Sequence, residues 1–130
     1  MKEILFLTLE QVIEIHADVI EEFGGTHGIR DLGLLQSAVA MPQAGFGDQY
    51  LHPDLFEMAA AYLYHLVQNH PFVDGNKRTA ALTAFSFLLL NGYLLEADEF
   101  LFEKIILDTA QGQIGKREIA AFFRSEFNES

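Results

Sequence analysis

Apolar residues recur at helical spacing along most of this chain. Leu9, Val12, Ile13, His16, Ile20 and Phe23 fall on one stripe, with Glu10, Glu14, Asp18 and Glu21 on other faces. Thr8-Leu9-Glu10-Gln11 has the form of a capping box, and Gly24-Gly25 stops the helix. Asp31 predicts the cap of a second, shorter helix through Leu34, Leu35, Ala38 and Val39, closed by Met41-Pro42. Pro53 and Asp54 open a third that runs to about Asn69, its stripe formed by Leu55, Met58, Ala59, Tyr62, Leu63 and Leu66. A fourth, from about Asn76 to Leu90, is apolar on nearly every side and ends at Asn91-Gly92, which predicts that it is the central buried helix. Residues 100–111 and 116–127 supply two more amphipathic helices, separated by Gly112 and Gly115.

The pattern predicts an all-α fold, one helical domain over residues 1–130, with no internal repeat, linker or low-complexity segment. One stretch breaks the helical period. Residues 44–51 hold two glycines and read as a loop or a short β-hairpin flap.

Composition narrows the class. Half the residues are hydrophobic and 12 are Phe, enough for a core and against disorder. A net charge of -11 and a pI near 4.6 argue against direct nucleic-acid binding, which needs a basic face, and fit a basic partner. With no cysteine, thiolate chemistry and Cys-based zinc sites are excluded, and a reducing compartment is compatible. Glu3, Glu10 and Gln11 interrupt the N-terminal apolar run before a signal core forms, and residues 80–90 cover about half of a ~20-residue membrane span. The expectation is a cytoplasmic protein with no membrane partner.

The chemistry gathers in His70-Pro71-Phe72-Val73-Asp74-Gly75-Asn76-Lys77-Arg78-Thr79. No Lys or Arg occurs between Arg30 and Lys77, so the pair Lys77-Arg78 stands out at the start of the fourth helix. The first turn of a helix has unpaired N–H groups and partial positive charge, and Gly75 predicts close approach of a ligand to the backbone. With Lys77 and Arg78 added, this is an anion site suited to a di- or triphosphate. Asp74 offers a hard oxygen for Mg²⁺ bridging to phosphates. His70 is the candidate general base, histidine being the side chain most often used for that role. Phe72 anchors the loop, and Asn76 either caps the helix or bonds a phosphate oxygen.

Structural roles compete with these. His70 could be a plain hydrogen-bonding residue, Asp74 and Asn76 caps, and Lys77-Arg78 a solvated turn. A cationic first turn opposes the helix dipole, however, and such a choice marks a place where function has overridden stability. The other histidines carry less. His16 sits on an apolar stripe and reads as a satisfied core residue, His27 and His52 lie in loops, and His65 is not at a same-face metal spacing from His70.

The ten-residue stretch resembles the signature of the Fic/Doc superfamily, and its Asn-Lys-Arg-Thr ending is similar to the Doc (death-on-curing) toxin branch. Phe23-Gly24-Gly25, Gly28-Ile29-Arg30-Asp31, Leu34-Leu35-Gln36-Ser37-Ala38, Leu55-Phe56-Glu57 and Asn91-Gly92-Tyr93 extend the likeness across most of the chain. The resemblance implies an all-α fold with the motif loop between two helices. It implies His70 as the histidine that activates a target hydroxyl, Asp74 as the Mg²⁺ position, and Gly75, Asn76, Lys77 and Arg78 as the phosphate loop. Fic-type enzymes carry a second glycine where this chain has Lys77 and a further arginine where it has Ala81, and they transfer AMP. In the Doc branch the lysine fills that space, ATP binds in the reverse sense and the γ-phosphate is transferred.

The implied protein is a toxin kinase whose target class is a threonine of elongation factor Tu. The implied partner is an antitoxin with a disordered tail, acting in trans because Ser125 to Glu129 fits an inhibitory Ser/Thr-x-x-x-Glu helix only loosely. Two departures stand out: Gly75 occupies a position that is alanine in the best-known Doc motif, and Gln68 one where a basic residue is expected. An AMP transferase and a non-catalytic nucleotide-binding module are the competing expectations. Residues 44–51 are the candidate docking edge for a target peptide.

Overall fold

The computed structural model describes residues 3–129, so Met1-Lys2 at the start of the N-terminal apolar run, and Ser130, lie outside the described residues. Helix α1 (Leu9–Phe23) opens on a complete capping box, with Gln11 N–H donating to Thr8 Oγ1 at 3.1 Å and Thr8 N–H to Gln11 Oε1 at 2.8 Å. Gly24 ends it at φ +83°. Asp31 caps α2 (Leu32–Ala40), which runs into a 3₁₀ turn at Met41–Gln43. A ribbon of β1 (Gly45–Phe46) and β2 (Gln49–Tyr50) follows, antiparallel, with Gly45 opposite Tyr50. Asp54 then caps α3 (Leu55–Asn69), and the motif loop leads into α4 (Asn76–Leu90).

Beyond α4 lie β3 (Tyr93–Leu95), α5 (Glu99–Ala110), α6 (Lys116–Ser125) and β4 (Phe127–Glu129). The fold is all-α, with two small ribbons attached. The second ribbon corrects the sequence reading, which carried the last helix to residue 127. The chain leaves α6 after Ser125 because Phe127 packs its ring between Phe56 and Tyr93, at 4.8 and 5.2 Å, and β4 pairs antiparallel with β3. The stretch from Ser125 to Glu129 is therefore a helix end and a strand.

A second correction concerns the centre. The hub is α3, which packs against α2, α4, α5 and α6. Its buried alanines, Ala59, Ala60 and Ala61, let neighbouring helices approach closely, while Met58, Tyr62, Leu63 and Leu66 fill the core. Helix α4 has more apolar surface than its neighbours cover, and Leu82, Leu89 and Leu90 stay exposed. Tyr62 also anchors the segment before α1. Its buried hydroxyl accepts from Leu7 N–H at 2.9 Å, and burial pushes its pKa up to about 12. No helix among the described residues is long and apolar enough to cross a membrane.

Candidate functional site

Helix α3 ends at His70, which adopts the left-handed conformation at φ +48°, ψ +54°. Gly75, also left-handed at φ +76°, sits before α4. Between these two reversals the motif loop turns back under α1. Phe72 is buried and stacks flat on His16, with ring centroids 3.8 Å apart and planes at 4°. His16 donates through Nε2 to the Asp74 carbonyl at 2.8 Å. It is thus a satisfied buried residue, and also a prop under the loop.

The N-terminus of α4 is open. The first backbone bond of the helix runs from Thr79 N–H to Gly75 O, and no side chain caps the turn. The N–H groups of Asn76, Lys77 and Arg78 thus precede the helical ladder at the positive end of a 15-residue helix. This end lines a cleft of about 810 Å³ together with His70, Asp74 and Gly24. Helix α5 lines the same cleft, with Phe102, Ile106 and Leu107 beside Glu99 and Glu103. Apolar surface in one cleft with backbone donors and cations suits a ligand with a flat apolar part and an anionic tail.

The structure brings all six candidate residues, His70, Asp74, Gly75, Asn76, Lys77 and Arg78, to this cleft. Their side chains are engaged differently. His70 and Lys77 are exposed to the cleft, and Lys77 makes no ion pair among the described residues. Arg78 rests on the Phe23 ring, its Cζ 4.2 Å from the centroid. Asn76 is buried and spends its amide on the backbone of Phe72, so its side chain shapes the loop. The physical reason for Gly75 also differs from the sequence reading. A Cβ there would point at Ile20 (3.1 Å) and Val19 (3.5 Å) of α1, so the glycine serves the positive φ and the packing of the loop.

Asp74 accepts from Gly75 N–H through Oδ1 at 2.9 Å and from Thr26 N–H through Oδ2 at 3.1 Å. Each oxygen keeps a further lone pair, and both are fixed in orientation. No cluster of three or more carboxylates or histidines able to hold a metal occurs among the described residues. A single oriented carboxylate such as Asp74 could hold Mg²⁺ only together with other oxygen ligands, such as water or phosphate, an arrangement usual for that ion.

The sequence reading gave the segment between α1 and α2 no part in the site, although it carries some of the family likeness. Gly25 must lack a side chain because a Cβ would sit 2.7 Å from Asp74 Oδ2. Gly28 O accepts from Val73 N–H at 3.0 Å, Ile29 bridges Phe72, and Arg30 reaches the end of α3. The run of glycines at 24, 25 and 28 was the available signal. Gln68, expected to be basic, donates to Thr109 O at 2.6 Å and ties α3 to the end of α5.

The fold thus sets an exposed histidine beside an uncapped helix N-terminus in one cleft. Residues 6–88 match the Fic/DOC family, and the chain belongs to it. Two of the relatives it resembles are Doc proteins. The chain is 51% identical over 76 residues to a Toxin Doc of Mycolicibacterium smegmatis, covering 58% of each chain. It is 37% identical over 83 residues to the protein kinase doc of Escherichia phage P1, covering 64% of this chain and 65% of that one. A protein adenylyltransferase Fic of Drosophila mojavensis is 31% identical over 106 residues, covering 68% of this chain and 21% of its own. The chain thus spans 58% and 65% of the lengths of the two Doc relatives.

Proposed function

We propose that this protein is a Doc-like toxin that transfers the γ-phosphoryl group of ATP to a Ser or Thr hydroxyl of a protein target. The observation that carries the reading is the uncapped N-terminus of α4, with Lys77, which makes no ion pair among the described residues, in the same cleft as exposed His70. His70 accepts the proton of the target hydroxyl as its oxygen attacks the γ-phosphorus. The bond from that phosphorus to the β,γ-bridging oxygen breaks, and ADP leaves. Lys77, Arg78 and the first N–H groups of α4 hold the phosphate chain and spread its charge. Gly75 and Asn76 give the cradle its shape. Mg²⁺, when bound at Asp74 with the phosphates, supplies neutralising charge. The apolar wall of α5 receives the base.

Elongation factor Tu is the target class this reading implies, and arrested translation the outcome. An antitoxin is the silencing partner, consistent with the name of the mycobacterial relative. The acidic chain suits a basic antitoxin segment.

AMP transfer is the second reading, favoured by the glycine at 75 and the adenylyltransferase relative. Lys77 weighs against it, since its side chain fills space and adds charge that an α-phosphate attack requires clear. Incubation with a cell extract and ATP labelled separately at the α and γ positions separates the two. Label from γ alone supports the kinase, label from α supports AMP transfer, and label from neither leaves a nucleotide-binding module. The product is scored on purified elongation factor Tu, and His70→Ala should abolish transfer.

A further inference from the structure

We propose that Arg30 is a positioning residue that fixes the direction of His70. The inference rests on His70 being the base in the reaction above. Arg30 lies far from the motif in sequence, and its guanidinium spans the last turn of α3. Nε donates to the carbonyl of His70 at 2.6 Å and Nη2 to the carbonyl of Asn69 at 2.9 Å. A rigid planar fork meets two successive carbonyls, which a lysine ammonium cannot reproduce.

The histidine needs such a hold. It is the non-glycine residue with positive φ among the described residues, in a conformation that L side chains seldom adopt. Relaxing that backbone would re-aim the imidazole, because the side chain leaves the same Cα that the two dihedrals orient. Arg30 is itself clamped. Its own N–H and that of Asp31 both donate to the Pro71 carbonyl, at 2.7 and 3.0 Å, and Ile29 bridges Phe72. Residues 28–31 thus lie antiparallel along the motif.

The charge of Arg30 points the same way. In a chain of net charge -11, this exposed arginine makes no ion pair with a carboxylate among the described residues. The adjacent carboxylate of Asp31 is spent capping α2 through Leu34 N–H at 3.0 Å. The guanidinium is reserved for the two carbonyls.

The test combines steady-state transfer from γ-labelled ATP with NMR assignment of His70. Arg30→Ala should lower kcat at least tenfold while the KM for ATP stays within twofold. The His70 Cα and Cβ shifts should lose their left-handed signature. Methylguanidinium added to Arg30→Ala should restore part of kcat, and Arg30→Lys should remain impaired. Unchanged kcat, or His70 shifts that stay left-handed, overturns the proposal. A wild-type protein that transfers no label refutes the kinase reading alone, and the His70 shifts in Arg30→Ala still decide the positioning.

Discussion

The side-chain amide of Asn76 pairs twice with the backbone of Phe72. Its Oδ1 accepts from the Phe72 N–H at 2.9 Å, and its Nδ2 donates to the Phe72 carbonyl at 2.9 Å. Both residues are buried, so these bonds close the motif loop where no water replaces them. Asn76→Ala leaves a buried donor and a buried acceptor unpaired, a cost of about 2–4 kcal/mol. The midpoint of a urea melt should fall accordingly, and the Phe72 amide should exchange faster with solvent. Transfer should fall with it, since the loop carries His70 at one end and Asp74 near the other.

Much of the fold is legible from pattern and caps. Thr8 and Asp31 form the predicted caps, and Asp54, read only as opening the third helix, caps it too, because a short side chain before an apolar period has little else to do. The last strand was hidden, since a Phe at residue 127 continues a helical stripe as well as it seats between Phe56 and Tyr93. The role of α3 as hub was hidden too, because uniform apolarity in α4 reads as burial while three alanines read as weak hydrophobes. At the site, the residue types were legible within one segment. The partners from residues 16 to 30 were not, since backbone donors such as Thr26 N–H leave no mark on sequence.

Gly25 gives a way to disturb Asp74 without touching it. A methyl group at residue 25 would meet Asp74 Oδ2 at 2.7 Å, whereas one at Gly24 meets nothing within 4 Å. Both glycines have positive φ, so each alanine variant carries a backbone cost of about 1 kcal/mol. Gly25→Ala should lose more stability than Gly24→Ala, by about 1 kcal/mol or more, and should raise the Mg²⁺ concentration needed for half-maximal transfer. Equal melting curves for the pair would show that Asp74 moves aside freely.

His65 makes stability sensitive to acid. Burial first, then the charges of Lys116 and His52, lower its pKa from 6.5 to about 4. The lysine Nζ lies 3.1 Å from Nε2 of both imidazoles, so it donates to neutral rings. The unfolded chain protonates His65 at 6.5 and the folded chain only near 4. The contribution is therefore fully present above pH 6.5 and is lost as pH falls toward 4. Water screens the half-buried ring, so the loss is about 1–2 kcal/mol, less than the bare shift implies. Thermal melts between pH 7 and 4 should show the decline, and His65→Gln should flatten it. His52, also lowered, leaves a residual slope in the same direction.

Lys77 and Arg78 are held differently at the start of α4. Lys77 is exposed in the cleft with no ion pair among the described residues, so its ammonium is free to meet an anion. Arg78 instead begins on Phe23, 4.2 Å from the ring centroid, and that platform aims its guanidinium. A charge-assisted hydrogen bond contributes about 1.5–3 kcal/mol, whereas a half-exposed cation–π contact contributes about 0.5–1 kcal/mol. Lys77→Ala should therefore weaken ATP binding by about 10- to 100-fold, and Phe23→Ala by only about two- to fivefold. Titration calorimetry with a non-hydrolysable ATP analogue reads both. If Phe23→Ala proves as damaging as Lys77→Ala, the aromatic platform rather than the lysine organises the phosphate, and Arg78 is the principal anchor.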